Sequence, residues 1–133
     1  MDIDIKSIIN LRHRLHAAPE LSGKETATAE LIAQTLQKSH PQRIITGVGG
    51  NGVIAVFKSP EAGPVICFRA DIDALPIAET GEGGHISRIP GRSHACGHDG
   101  HSAILLGFAQ WLNAHPEKWS GSVILLFQPA EET

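Results

Sequence analysis

The sequence predicts an α/β fold: a mixed, largely parallel sheet flanked by helices. Three observations point there. Segments of helical periodicity alternate with short apolar runs bounded by glycine and proline. The run Val123-Ile124-Leu125-Leu126-Phe127 is apolar throughout, as expected of a central strand covered on both faces. Residues 65 to 128 read as strand, helix and strand, a βαβ crossover whose two strands should be parallel and right-handedly connected.

The chain has 133 residues, which suits one domain and one core. Hydrophobic residues make up 41% and charged residues 19%, a globular balance that argues against disorder. The net charge is −3 and no basic run occurs, so no nucleic-acid partner is expected. Met1-Asp2-Ile3-Asp4 is acidic and lacks a signal-peptide core, and no apolar run is long enough to span a bilayer. A cytoplasmic protein with no membrane partner is expected. Two cysteines, Cys67 and Cys96, do not make a disulfide scaffold. Cys67, in mid-strand, reads as a small buried hydrophobe.

In chain order, Ile5, Ile8, Ile9, Leu11, Arg12 and Leu15 recur at helical spacing over 3–16. Pro19 stops that helix, and His13 and His16 read as surface or helix-end residues. Ser22-Gly23-Lys24-Glu25 fits a capping box, with Ser22 as N-cap and Glu25 reaching back. A second helix should then run to Lys38, burying Ala27, Leu31, Ile32 and Leu36, until His40-Pro41 ends it. A short strand at 43–46 follows. Gly47-Val48-Gly49-Gly50-Asn51-Gly52 matches a dinucleotide-binding pattern, but a strand follows it where that motif needs a helix, so it reads as a turn. Strands 53–58 and 65–70 flank Ser59-Pro60-Glu61-Ala62-Gly63-Pro64 and should pair as an antiparallel hairpin. Residues 79–93 read as a surface loop. A helix over 101–114 carries Ile104, Leu105, Phe108 and Leu112 on one face, with Trp111 and Trp119 near its end.

Chemistry concentrates in Ser93-His94-Ala95-Cys96-Gly97-His98-Asp99-Gly100-His101. His, Cys and Asp all ligate a borderline-soft divalent ion when deprotonated. Cys96 and His98 are two apart and can reach one site in an extended turn, and Asp99 suits the support of a ligating imidazole. Solvated histidines are the bland alternative; so many donors in nine residues favour the metal. Two further acidic clusters, Asp71/Asp73 and Glu131/Glu132, stand where the strands 65–70 and 122–128 end. In open α/β sheets ligands bind beyond the carboxyl ends of strands, so three distant segments should converge on one crevice. One glutamate of Glu131-Glu132 can bind metal while the other takes a proton from a metal-activated water. The expected reaction class is metal-assisted hydrolysis of an amide or ester.

R-A-D-I-D-A-L-P-I at 69–77, H-A-C-G-H-D-G-H at 94–101 and F-Q-P-A-E-E at 127–132 resemble the M20 metallopeptidase family, specifically its amidohydrolase branch. L-R-H-R-L-H-A-A-P-E-L-S at 11–22 is similar too. The resemblance implies metal ligands at Cys96, His98 and Glu132, with Cys96 bridging two ions. It implies a general base at Glu131 and a supporting acid at Asp73. It implies two divalent ions, Mn2+ or Zn2+, and cleavage of the amide in N-acyl amino acids or short peptides. Asp71 and His101 are given no role. Family members are far longer, so the chain is expected to be the N-terminal part of a catalytic domain, without the lid and dimerisation domain and the C-terminal catalytic segment. The full-length parent is expected to be a homo-oligomer. Two other readings compete: a non-catalytic metal-binding fragment or interaction module, because downstream ligands are missing, and a thiol enzyme using Cys96 as nucleophile.

Overall fold

The computed structural model describes residues 3–133. Three helices and four strands follow in order: α1 (Ile5–Ala17), α2 (Thr26–Gln37), β1 (Arg43–Val48), β2 (Gly52–Lys58), β3 (Val65–Asp71), α3 (His98–Ala114) and β4 (Ser122–Gln128). A single 3-10 turn, Pro116–Lys118, links α3 to β4. The mixed α/β class holds. The sheet order is β1-β2-β4-β3. β3 and β4 are parallel, as the crossover requires, while β1–β2 and β2–β4 are antiparallel. Within these residues the sheet is thus less parallel than expected.

The expected hairpin between strands 53–58 and 65–70 does not form. β4 lies between them, its Leu125 facing Ala55 on one side and Phe68 on the other. The hairpin is β1–β2 instead, turned by the glycine-rich 47–52 segment. The reason is burial: β4 is the most apolar strand and takes the central place with a neighbour on each side.

Val53, Ala55 and Phe57 of β2 and Val123, Leu125 and Phe127 of β4 share one face and are buried in a single core. Leu11 and Leu15 of α1, Ile32 and Leu36 of α2, and Leu105, Leu106, Ala109 and Leu112 of α3 cover it. Full burial of each such large side chain contributes about 1.5–3 kcal/mol. The other face of β4 is only half-buried, so that strand is fully covered on one side, not two.

Local expectations fare unevenly. The Asp4 side chain caps α1 through the Ser7 amide at 3.0 Å. Ile5, Ile9 and Ile104, read as core-facing, are exposed, and so is Ala27. Cys67 is exposed rather than buried, because β3 is an edge strand whose outer face nothing covers among the described residues. The capping box is not built: α2 starts at Thr26, and Glu25 makes no side-chain bond to its own helix.

Candidate metal centre

The site forms where β3 and β4 end and α3 begins. β3 and β4 run in register up to Asp71 opposite Gln128, and the Ile72 amide extends the ladder to the Gln128 carbonyl at 3.0 Å. Asp73 therefore lies beside the 129–132 turn. Mutual backbone bonds between Leu75 and Ser93, at 3.0 and 3.1 Å, tie the segment after Asp73 to the loop that enters α3. Gly97 makes the entry with φ +80°, a left-handed conformation that a side chain disfavours, and sets His98 in the first turn of α3.

The structure brings Cys96, His98 and Glu132 together: one donor atom from each lies within 4.8 Å of the others. Asp71, His98 and Glu131 form a second such trio, so the two groups share His98. His98 is 5% exposed, and its ring is held by Nδ1. That nitrogen donates to the Asp73 carbonyl oxygen at 2.8 Å. A carbonyl only accepts, so Nδ1 carries a proton and Nε2 is the ring nitrogen left to face an ion. Nε2 faces Glu132 Oε1 at 3.6 Å and Glu131 Oε2 at 3.9 Å. A backbone carbonyl behind a ligating imidazole is the usual way to fix its tautomer and direction.

Asp73 is fully buried. Its Oδ2 accepts from Ser22 Oγ at 2.6 Å and from the Glu132 amide at 2.8 Å. Burial alone would raise its carboxyl pKa; these bonds outweigh burial and hold it below the usual range. Asp73 thus anchors Glu132 by its side chain and His98 by its carbonyl. Its Oδ1 is buried without a hydrogen bond, 3.3 Å from His98 Nδ1.

The Cys96 thiol is exposed, and a hydrogen bond to the Glu132 carboxylate leads the effects that push its pKa up. Two glutamates beside a thiol disfavour a thiolate, which weakens the nucleophile reading of Cys96. A divalent cation reverses that balance, because it stabilises thiolate and carboxylates together. Thiol, imidazole lone pair and carboxylates, exposed on one side, suit a divalent ion with open coordination positions.

Other residues of the motif lie elsewhere. His101 is exposed and belongs to neither trio. His94 is buried with both ring nitrogens unpartnered, and burial first of all lowers its pKa to about 4, so the ring is neutral. Asp99 does not support His98. It accepts from Arg12 Nε at 3.1 Å and bonds His16 Nδ1 at 2.8 Å, both on α1. His16, read as a surface residue, is buried between Asp99 and Glu79, with its Nε2 2.7 Å from Glu79 Oε1. Sequence reasoning missed this group, although Arg12 and His16 stand beside core Leu11 and Leu15, an unusual place for charge.

Comparison with known proteins points to one family. The family model for Peptidase family M20/M25/M40 matches residues 67–133. IAA-amino acid hydrolase ILR1-like 5 of Arabidopsis thaliana is 45% identical over 94% of this chain and 28% of its own length. N-acetylcysteine deacetylase of Bacillus subtilis is 44% identical, over 94% and 33% respectively. The crystal structure of the Bacillus subtilis YXEP protein, a dinuclear metal-binding peptidase of the M20 family, superposes with TM-score 0.90 and 44% identity, covering 96% of this chain and 36% of that one. The chain thus spans roughly a third of the length of these relatives. With that match over half its residues, the chain belongs to peptidase family M20/M25/M40.

Proposed function

We propose that this chain is the N-terminal part of the catalytic domain of a metal-dependent amidohydrolase that cleaves the amide of N-acyl amino acids or short peptides. The observation that carries the reading is the pair of donor trios sharing His98 at one sheet edge. Cys96, His98 and Glu132 would hold one divalent ion. Asp71, His98 and Glu131 surround the adjoining space. When bound, two ions of the Mn2+ or Zn2+ kind supply Lewis acidity toward water and a substrate carbonyl.

The residues of the chain divide the remaining work. Glu131, the more exposed of the two glutamates, takes the proton of the attacking water and returns it to the leaving amine. Glu132 is turned inward by its amide bond to Asp73. Asp73 keeps His98 and Glu132 aligned without touching substrate. Relatives support the substrate class through their names, a hydrolase of IAA-amino acids and a deacetylase of N-acetylcysteine. The lid, the remaining ligands and a homo-oligomeric interface belong, on this reading, to the rest of the longer enzyme.

The test is Glu131→Gln in that longer enzyme, assayed on a panel of N-acyl amino acids with metal content measured in parallel. Turnover should fall at least about a hundredfold while metal content is unchanged. Retained turnover would remove Glu131 as the base.

A further inference from the structure

We propose that Glu25 is a positioning residue that aims Glu131 and Glu132 at His98. This rests on reading those glutamates as base and ligand. Glu25 is fully buried, and a buried carboxylate must be paired to be tolerated. Its Oε1 accepts from the Gly23 amide at 2.5 Å and from the Ala130 amide at 3.2 Å. Its Oε2 accepts from Asn51 Nδ2 at 3.2 Å. One side chain thereby joins the entry to α2, the β1–β2 turn and the turn after β4.

Its own helix does not need it. The first free amides of α2 are met by Glu20, whose carboxylate accepts from Thr28 at 2.5 Å and from Ala27 at 3.3 Å. Glu25 starts the helix yet makes no side-chain bond to it. Both partners of the apparent capping box are turned to the site: Ser22 to Asp73 and Glu25 to Ala130.

Ala130 is where aiming is required. Its φ is +53°, left-handed for a residue with a Cβ. Such a conformation persists only where surroundings impose it. The Glu25 bond holds its amide, and Thr133 Oγ1 bonds its carbonyl at 2.7 Å. Pro129, one residue earlier, rests where Gly52 has no side chain: a Cβ there would come within 3.2 Å of the proline ring. Release of Ala130 would let the backbone return to an ordinary conformation and swing Glu131 and Glu132 off His98.

Amide hydrogen exchange on this chain and zinc titration of the longer enzyme, each beside its Glu25→Ala and Glu25→Gln variants, test the proposal. In the unaltered chain the Ala130 amide should exchange about a hundredfold or more slower than a free amide. In Glu25→Ala its protection should fall about tenfold more than that of Leu125, with a drop in zinc affinity of about tenfold. Glu25→Gln keeps an oxygen for Gly23 and Ala130, and its amide nitrogen meets Asn51, whose own amide can turn its oxygen to accept; both readouts should stay within about threefold of the unaltered protein. Proportional loss at Ala130 and Leu125, unchanged zinc affinity in Glu25→Ala, or equal damage in both variants would overturn it. If Glu25→Ala does not fold, the unaltered chain and Glu25→Gln decide: a freely exchanging Ala130 amide in the unaltered chain would also overturn it. Absence of zinc binding by the unaltered longer enzyme would refute the metal reading instead, and Ala130 exchange would still judge the positioning.

Discussion

Replacing His16 by alanine should cost about 3 kcal/mol and loosen the 78–92 loop on α1. Both ring nitrogens face carboxylate oxygens, Nδ1 at 2.8 Å from Asp99 and Nε2 at 2.7 Å from Glu79. Carboxylates only accept, so the ring is an imidazolium donating twice. Removing it leaves the fully buried Asp99 side chain with Arg12 alone, and Asp99 Oδ1 is already unpartnered. Stripping one partner from a buried pair costs roughly 3–5 kcal/mol, and the lower end applies because Arg12 remains. Glu79 also accepts from the Ser87 amide, the Arg88 amide bonds the Ala17 carbonyl, and the His85 ring stacks on His13 of α1, so this carboxylate is one of three fastenings between the loop and the helix.

The pH dependence has a definite sign. Burial lowers the His16 pKa, but the bonds to Glu79 and Asp99 outweigh it and leave it raised above 6.5. A raised value means the stabilisation is complete below pH 6.5 and is lost as pH climbs through the folded-state pKa. Urea denaturation of the chain and of His16→Ala should therefore differ most near pH 6 and converge toward pH 9. A difference at pH 6 under about 0.5 kcal/mol, the scale of an ordinary surface change, would refute the reasoning. So would parallel pH profiles.

Two further substitutions follow from the site. Asp73→Asn keeps an oxygen for Ser22 and Glu132 but sets an amide nitrogen 3.3 Å from His98 Nδ1, donor against donor; it should cost about 2 kcal/mol, read by urea denaturation. Gly97→Ala meets no atom within 4 Å yet must hold φ +80°; backbone strain alone predicts a loss of about 1–2 kcal/mol in the same assay, with weaker zinc binding.

The site was more legible in the sequence than the sheet. Cys96, His98, Glu131 and Glu132 could be placed together because strand ends and a helix start carry local signals, apolar runs stopped by acids and a glycine before His98. Strand pairing carries no such signal. Nothing local tells that β4 inserts between β2 and β3, because the choice depends on which strand gains most from two neighbours. The exposure of Cys67 follows from that same order and was equally hidden. Ser22 and Glu25 show a deeper limit. Their spacing spells a helix cap, but Glu20 fills that role in space, and the two residues serve Asp73 and Ala130, 51 and 105 positions away. From the sequence Asp99 suits the support of a ligating imidazole; the first turn of α3 points it toward α1 instead, and the Asp73 carbonyl holds His98.

The most direct test of the central claim is a calorimetric zinc titration of the longer enzyme and of its Cys96→Ser variant. The account predicts saturable binding that weakens about tenfold or more in the variant, since Cys96, His98 and Glu132 converge on one ion. Equal affinity in the two proteins, or no binding by either, would contradict it.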